Sequence, residues 1–158
     1  ATGSVGSAAV QIACHIGATV AATASPANHP LARQLGATEV TDYRTGPPAG
    51  PFDVILDVMG SLGWRGAEPL LSPQGRLILI TASLSEMLAS ALRPRRLITG
   101  TNKDTLPAMR RLLALHEAGG YTPIVGPVLP FPQLAEAHRI AESFHKPGNL
   151  VVTMGDVT

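Results

Sequence analysis

Ala1-Thr2-Gly3-Ser4-Val5-Gly6, at the front of the chain, have the types and spacing of a turn that binds phosphate through backbone amides. In a nucleotide-binding βα unit, the second glycine lets the main chain approach a pyrophosphate. The third lets the helix pack close to the sheet. Gly3 and Gly6 hold those two places, and Ala1 stands where a first glycine would be. With Ser4 and Val5 between them they form a candidate diphosphate cradle. Such a short match is weak alone, and the segment after it carries the reading. Val5, Ala8, Ala9, Ile12, Ala13 and Ile16 recur at helical spacing, giving a narrow face of mostly small residues. Gly17 supplies a left-handed stop, and residues 19–24 read as a short buried strand. Turn, helix and strand arrive in βαβ order, so the expected ligand is a dinucleotide.

No other cluster offers chemistry of its own. The five histidines, His15, His29, His116, His138 and His145, are scattered without ligand spacing. The single cysteine, Cys14, excludes an intrachain disulfide and a cysteine-based zinc site. Asp53 and Asp57 share one predicted strand and read as edge and strand-end residues, not as an acid–base pair. There is no nucleophile elbow, and no catalytic residue is assigned.

The elements that must hold the turn alternate along the chain. A short helix over 30–35 stops at Gly36, a brief strand covers 39–41, and 45–51 is a Pro/Gly loop. A buried strand spans 52–58. A helix around 62–71 leads to a Ser72-Pro73-Gln74-Gly75 turn and a strand over 76–81. A helix near 84–91, a strand at 96–101 and a helix over about 105–118 follow. This alternation predicts an α/β fold built on a parallel sheet. From Tyr121 prolines interrupt an extended piece, 124–129, before an amphipathic helix through Leu134, Ala137, His138 and Ala141 and a strand at 150–153. That tail is expected to leave the βα rhythm and to pack on another domain. The boundaries expected are a dinucleotide-binding domain over 1–121 and a C-terminal segment over 122–158.

The strand that ordinarily precedes a glycine turn is central in a doubly wound sheet. Without it two strands lose ladder partners, and buried unpaired backbone groups are costly. The expectation is therefore a Rossmann-type doubly wound parallel sheet lacking its first strand, with either upstream residues in the natural protein or another segment filling the slot. Composition bounds the partners. Twelve basic and eleven acidic residues leave a net charge of +1, without the basic face a nucleic-acid binder needs. The one basic cluster, Arg93-Pro94-Arg95-Arg96, runs into apolar Leu97-Ile98 and reads as the start of a strand. No apolar run approaches the roughly 18 residues of a membrane span, and no signal peptide is visible. A cytoplasmic protein acting on a small molecule is expected, with no nucleic acid and no membrane.

Several blocks together resemble the medium-chain dehydrogenase/reductase superfamily: 1–13, Leu35-Gly36-Ala37, Asp42-Tyr43-Arg44, Phe52-Asp53-Val54, Gly75-Arg76-Leu77, 135–139 and 147–152. Their order matches the family along nearly the whole chain, and the branch they resemble is the zinc-independent quinone oxidoreductase-like one. The resemblance implies a nucleotide-binding domain whose tail returns to a missing N-terminal catalytic domain. It also implies no zinc, and a homodimer paired through the strand at 96–101. The activity implied is hydride transfer between NADP(H) and a quinone, enone or related carbonyl substrate. An enoyl-reductase domain of a polyketide synthase and a non-catalytic dinucleotide-binding module are the alternatives. The rival short-chain reductases pair a tyrosine with a lysine four residues later, but here Tyr43 meets Pro47 and Tyr121 meets Val125.

The cofactor follows from the end of the second strand. NAD-preferring sites place an acidic residue about 20 positions after the glycines, whereas this chain has Ser25. A carboxylate repels a 2′-phosphate, and a hydroxyl can donate to it. NADP(H) is therefore expected over NAD(H). The resemblance adds Tyr43 as a phosphate contact, and neutral Asn28 stands where a base is common, leaving His29 or Arg33 to supply charge. The alternative is that Ser25, Asn28 and His29 form only a turn, with Tyr43 a half-buried residue at a strand end. By strand-end position, Ser61 is expected near the ribose, and Thr81, Ala82, Gly100 and Thr101 beside the nicotinamide.

Overall fold

The computed structural model describes residues 1–99, 105–143 and 146–155. In chain order the elements are α1 (Ser4–His15), β1 (Ala21–Ala24), α2 (His29–Gln34), β2 (Glu39–Asp42), β3 (Phe52–Asp57), α3 (Gly63–Ala67), β4 (Leu71–Leu79), α4 (Leu84–Leu92), β5 (Leu97–Ile98), α5 (Leu106–Glu117), β6 (Val125–Pro130), α6 (Leu134–Glu142) and β7 (Asn149–Thr153). Single 3₁₀ turns lead into α2 and α6, and one follows α3. Every strand pairing is parallel. Two compact units result: residues 1–48 with 106–158, and residues 49–105.

In the first unit, β1 pairs with β2 in register from Ala21↔Glu39 to Ala24↔Asp42. Val10, Ala22, Ala24, Ala32, Ala37 and Val40 form its core, with Ala1, Cys14, Val20 and Leu35 against it. From α1, Val10 enters this core and Cys14 packs against it, while the core's alanines come from β1, α2 and the turn after α2. The buried face of α1 is narrower than its sequence pattern suggested, comprising Ser7 and Val10. Ile16 caps the helix and is 75% exposed. Gly17 follows at φ +86°, the left-handed stop its position implied.

The tail departs from expectation. β6, α6 and β7 form a parallel βαβ crossover, running from Val125↔Asn149 to Pro130↔Thr153. The βα rhythm therefore continues to the end of the described chain. The prolines misled the reading because Pro127 and Pro130 sit in a two-stranded ribbon, where a missing N–H is tolerated on an unpaired edge. The same segment reaches the front of the chain: Gly148 bridges Gly3 in parallel, and its amide donates to the Thr2 carbonyl at 2.8 Å.

The second unit is a three-stranded sheet in the order β3-β4-β5. Trp64, Ala67, Leu71, Leu77, Leu79 and Leu97 form its core. The turn predicted at 72–75 is absorbed into β4 instead. The register jumps from Phe52↔Leu71 to Val54↔Arg76, so residues 72–75 form a bulge within one nine-residue strand. The strand predicted at 96–101 is Leu97–Ile98, and its last two positions lie outside the described residues. Arg93 and Arg96 stack on Trp64 at 5.3 and 5.6 Å. Arg96 also donates to the Gly75 and Ser72 carbonyls at 3.3 and 3.4 Å. The basic cluster thus clamps the bulge and the start of β5, in keeping with the strand-start reading.

Among the described residues, β1 and β3 each pair on one edge only. Along the other edge of β1, the Ala1 nitrogen donates to the Thr23 carbonyl at 2.7 Å.

Candidate functional site

The glycine turn, Ser25 and Tyr43 lie at one end of the first unit's strands. Ala1 sits beside Thr23, and Thr23 pairs with Thr41. One rung further, Ala24 pairs with Asp42, so Ser25 and Tyr43 both occupy the positions just past the last pair. Gly3, two residues after Ala1, is the N-cap of α1 at this same carboxyl end of β1. The order across the edge is therefore glycine turn, Ser25, Tyr43. Ligands of α/β sheets bind outside the carboxyl ends of the strands.

Gly3 is the N-cap of α1 at φ −74° and ψ 178°, and it carries no side-chain cap. Its carbonyl accepts the Ser7 amide at 2.9 Å, which starts the helix. No acidic residue stands in the first turn. The leading amides of a helix have no intrahelical acceptor and sit at the positive end of its dipole, so this terminus is suited to an anion. The glycines divide the work. A Cβ on Gly3 would meet no atom within 4 Å, whereas one on Gly6 would lie 2.8 Å from three backbone atoms of Ala1. Gly6 is required by packing, and Gly3 borders open space. Val5 is half exposed, while the Ser7 hydroxyl is buried and donates to the Ser4 carbonyl at 3.2 Å.

Ser25 caps the 3₁₀ turn Pro26–Asn28 without using its side chain. Its carbonyl accepts the Asn28 amide at 2.8 Å. Asn28 in turn precedes α2 without side-chain capping. The His29 Nε2 is 3.2 Å from the Ala24 carbonyl, which ties its ring back to the end of β1. Tyr43 is half exposed, with the Arg44 guanidinium 5.5 Å from its ring centre. Thus a hydroxyl, a phenol and two nearby bases stand at this edge, without a carboxylate at the place of Ser25.

The second unit holds the remaining described residues of the predicted set. Ser61 and Thr81 are exposed, and Ala82 is half-buried. The Thr81 hydroxyl donates to the Val58 carbonyl at 3.1 Å and joins the ends of β3 and β4. Gly60, at φ +70°, brings the loop so close that a Cβ there would lie 2.8 Å from the Thr81 carbonyl oxygen. Buried Asp57 accepts the amides of Gly60, Leu62 and Gly63 at 2.8, 2.9 and 3.0 Å. It is a loop anchor. Ser83 and Glu86 cap α4 reciprocally, and the Ser83 amide and hydroxyl hold the Glu86 carboxyl below its ordinary value. Gly100 and Thr101 lie outside the described residues. Among the described residues, no three His, Cys, Asp or Glu side chains gather as a metal site, and no helix is long and apolar enough to cross a membrane.

Sequence reasoning missed one contact with the turn. The Lys146 ammonium donates to the Gly148 carbonyl at 2.7 Å and to the Ser4 hydroxyl at 3.3 Å. That hydroxyl donates to the same Gly148 carbonyl at 3.0 Å. More than 140 positions separate these residues, and no local pattern announces the pairing.

Residues 35–152 match the family described as zinc-binding dehydrogenase. The chain belongs to that family. It is a quinone oxidoreductase-like fragment of the medium-chain dehydrogenase/reductase superfamily, covering the nucleotide-binding part. One relative is a chloroplastic quinone oxidoreductase, QR1, of Triphysaria versicolor, 29% identical over 96% of this chain and 50% of its own length. Another is the chloroplastic NADPH-dependent alkenal/one oxidoreductase of Arabidopsis thaliana, 31% identical over 95% of this chain and 38% of its own. The solved quinone oxidoreductase of Coxiella burnetii superposes with a TM-score of 0.83 at 22% identity, over 96% of this chain and 50% of that one. The chain thus spans half or less of the length of these relatives, and the last likeness establishes its Rossmann-type fold.

Proposed function

We propose that this chain is the cofactor-binding portion of an NADP(H)-dependent oxidoreductase that reduces a quinone, enone or related carbonyl compound. The observation that carries the reading is the uncapped start of α1, aligned at one sheet edge with Ser25 and Tyr43. The amides of Val5 and Gly6 would take the diphosphate, because no side chain caps the start of α1 and open space borders Gly3. Ser25 and Tyr43 would bind the 2′-phosphate of the adenosine ribose by hydroxyl donation, and Arg44 stands beside Tyr43. The nicotinamide, when bound, supplies the hydride, and the protein supplies its binding and orientation. The names of the two relatives support the oxidoreductase class.

The test uses the complete protein that carries this segment. Calorimetric titration should give tighter binding of NADPH than of NADH, and Ser25→Asp should reverse that order by placing a carboxylate against the 2′-phosphate. Steady-state NADPH oxidation with a panel of enones and quinones should then show turnover. Absence of binding by either cofactor overturns the assignment. Binding without turnover on any substrate leaves a dinucleotide-binding module and overturns the reductase reading.

A further inference from the structure

We propose that Lys146 is a cofactor-binding residue whose ammonium engages the diphosphate at the glycine turn. This rests on the dinucleotide reading above and adds to it a charge delivered from the other end of the chain. The geometry is specific. Lys146 Nζ lies 3.3 Å from the hydroxyl of Ser4, the first residue of α1, and 2.7 Å from the Gly148 carbonyl. Gly148 is itself bound to the turn, through its amide to Thr2 and its β-bridge to Gly3. The ammonium is therefore held beside the turn by the same segment, just ahead of β7, that braces it.

Its placement is electrostatically unfavourable by itself. A cation near a helix N-terminus opposes the macrodipole, and α1 has no acidic residue in its first turn to offset this. Among the described residues the one ion pair is Arg139–Glu136, so Lys146 has no carboxylate partner there. Its two hydrogen bonds go to neutral oxygens and leave one of its three donors to spare. A doubly charged diphosphate would be attracted by both the helix terminus and the ammonium. A neutral ligand would leave the two positive groups opposed.

The experiment compares Lys146→Gln and Lys146→Arg in the complete protein, titrated with NADPH and with NADH at low and high salt. Glutamine keeps a donor for the Gly148 carbonyl but removes the charge. We expect Lys146→Gln to weaken both cofactors about tenfold, the lower range for a lost charge-assisted hydrogen bond. Its affinity should also depend less steeply on salt, and Lys146→Arg should keep most of the affinity. Unchanged affinity in Lys146→Gln overturns the proposal. So does a loss confined to NADPH, which places the ammonium on the 2′-phosphate. A loss that Lys146→Arg fails to restore, with a lower melting temperature of the free protein, overturns it in favour of a structural tether. If the wild type binds neither cofactor, the dinucleotide reading itself fails; failure of the variants alone refutes only the role of Lys146.

Discussion

Gly3→Ala separates the folding role of the opening turn from its ligand role. Alanine is comfortable at φ −74° and ψ 178°, and its methyl would meet no protein atom within 4 Å. Folding should therefore be unharmed, or strengthened by roughly 0.4–1 kcal/mol through a less flexible unfolded chain. The open space is where the diphosphate is proposed to lie. A Cβ about 1.5 Å from Cα would push a phosphate oxygen in contact with that Cα outward by about 1 Å. Amide contacts near 2.9 Å would then stretch to about 3.9 Å and cease to be hydrogen bonds. Loss of one hydrogen bond to a charged group costs about 1.5–3 kcal/mol, a roughly 10- to 150-fold rise in Kd. Calorimetry with NADPH, beside thermal unfolding of the ligand-free protein, reads both quantities. Gly6→Ala is the counterpart. Its Cβ would lie 2.8 Å from Ala1 backbone atoms, and the crowding should lower stability by about 1–3 kcal/mol despite alanine's better helix propensity. Wild-type affinity in Gly3→Ala would refute the assignment of the diphosphate to this turn. A collapse of its melting temperature would refute the packing argument.

Two further outcomes test the second unit. Asp57→Asn should destabilise the complete protein by about 2–3 kcal/mol, because an amide nitrogen would face backbone donors where a buried carboxylate now accepts three; an unchanged urea midpoint would remove Asp57 as the loop anchor. The Glu86 carboxyl is held below its ordinary 4.5, first by the Ser83 amide and then by the Ser83 hydroxyl. With a lowered folded-state pKa, its stabilisation is complete above 4.5 and fades as pH falls through the folded value. Glu86→Gln should accordingly unfold more easily than wild type at neutral pH, with the difference closing below pH 4.5. A constant difference down to strongly acid pH would contradict the capping-box account.

Local sequence determined much of this protein because several of its signals are short-range. Gly3 and Gly6 mark the turn and its close approach to Ala1, and the pattern behind them marks the helix, since each acts within a few residues of itself. Ser25 could be assigned to a strand end by counting from the glycines. Proline misled where its partner strand was not visible in sequence: residues 72–75 read as a turn but form a bulge held by Arg96. Likewise the proline-rich ribbon of β6 read as a break in the βα pattern. Only the tertiary structure decided those cases, because hydrogen bonds to distant strands chose between conformations that local propensity leaves open. It alone brought Lys146 and Gly148 to Ser4, since no periodicity records a contact between chain segments more than 140 residues apart.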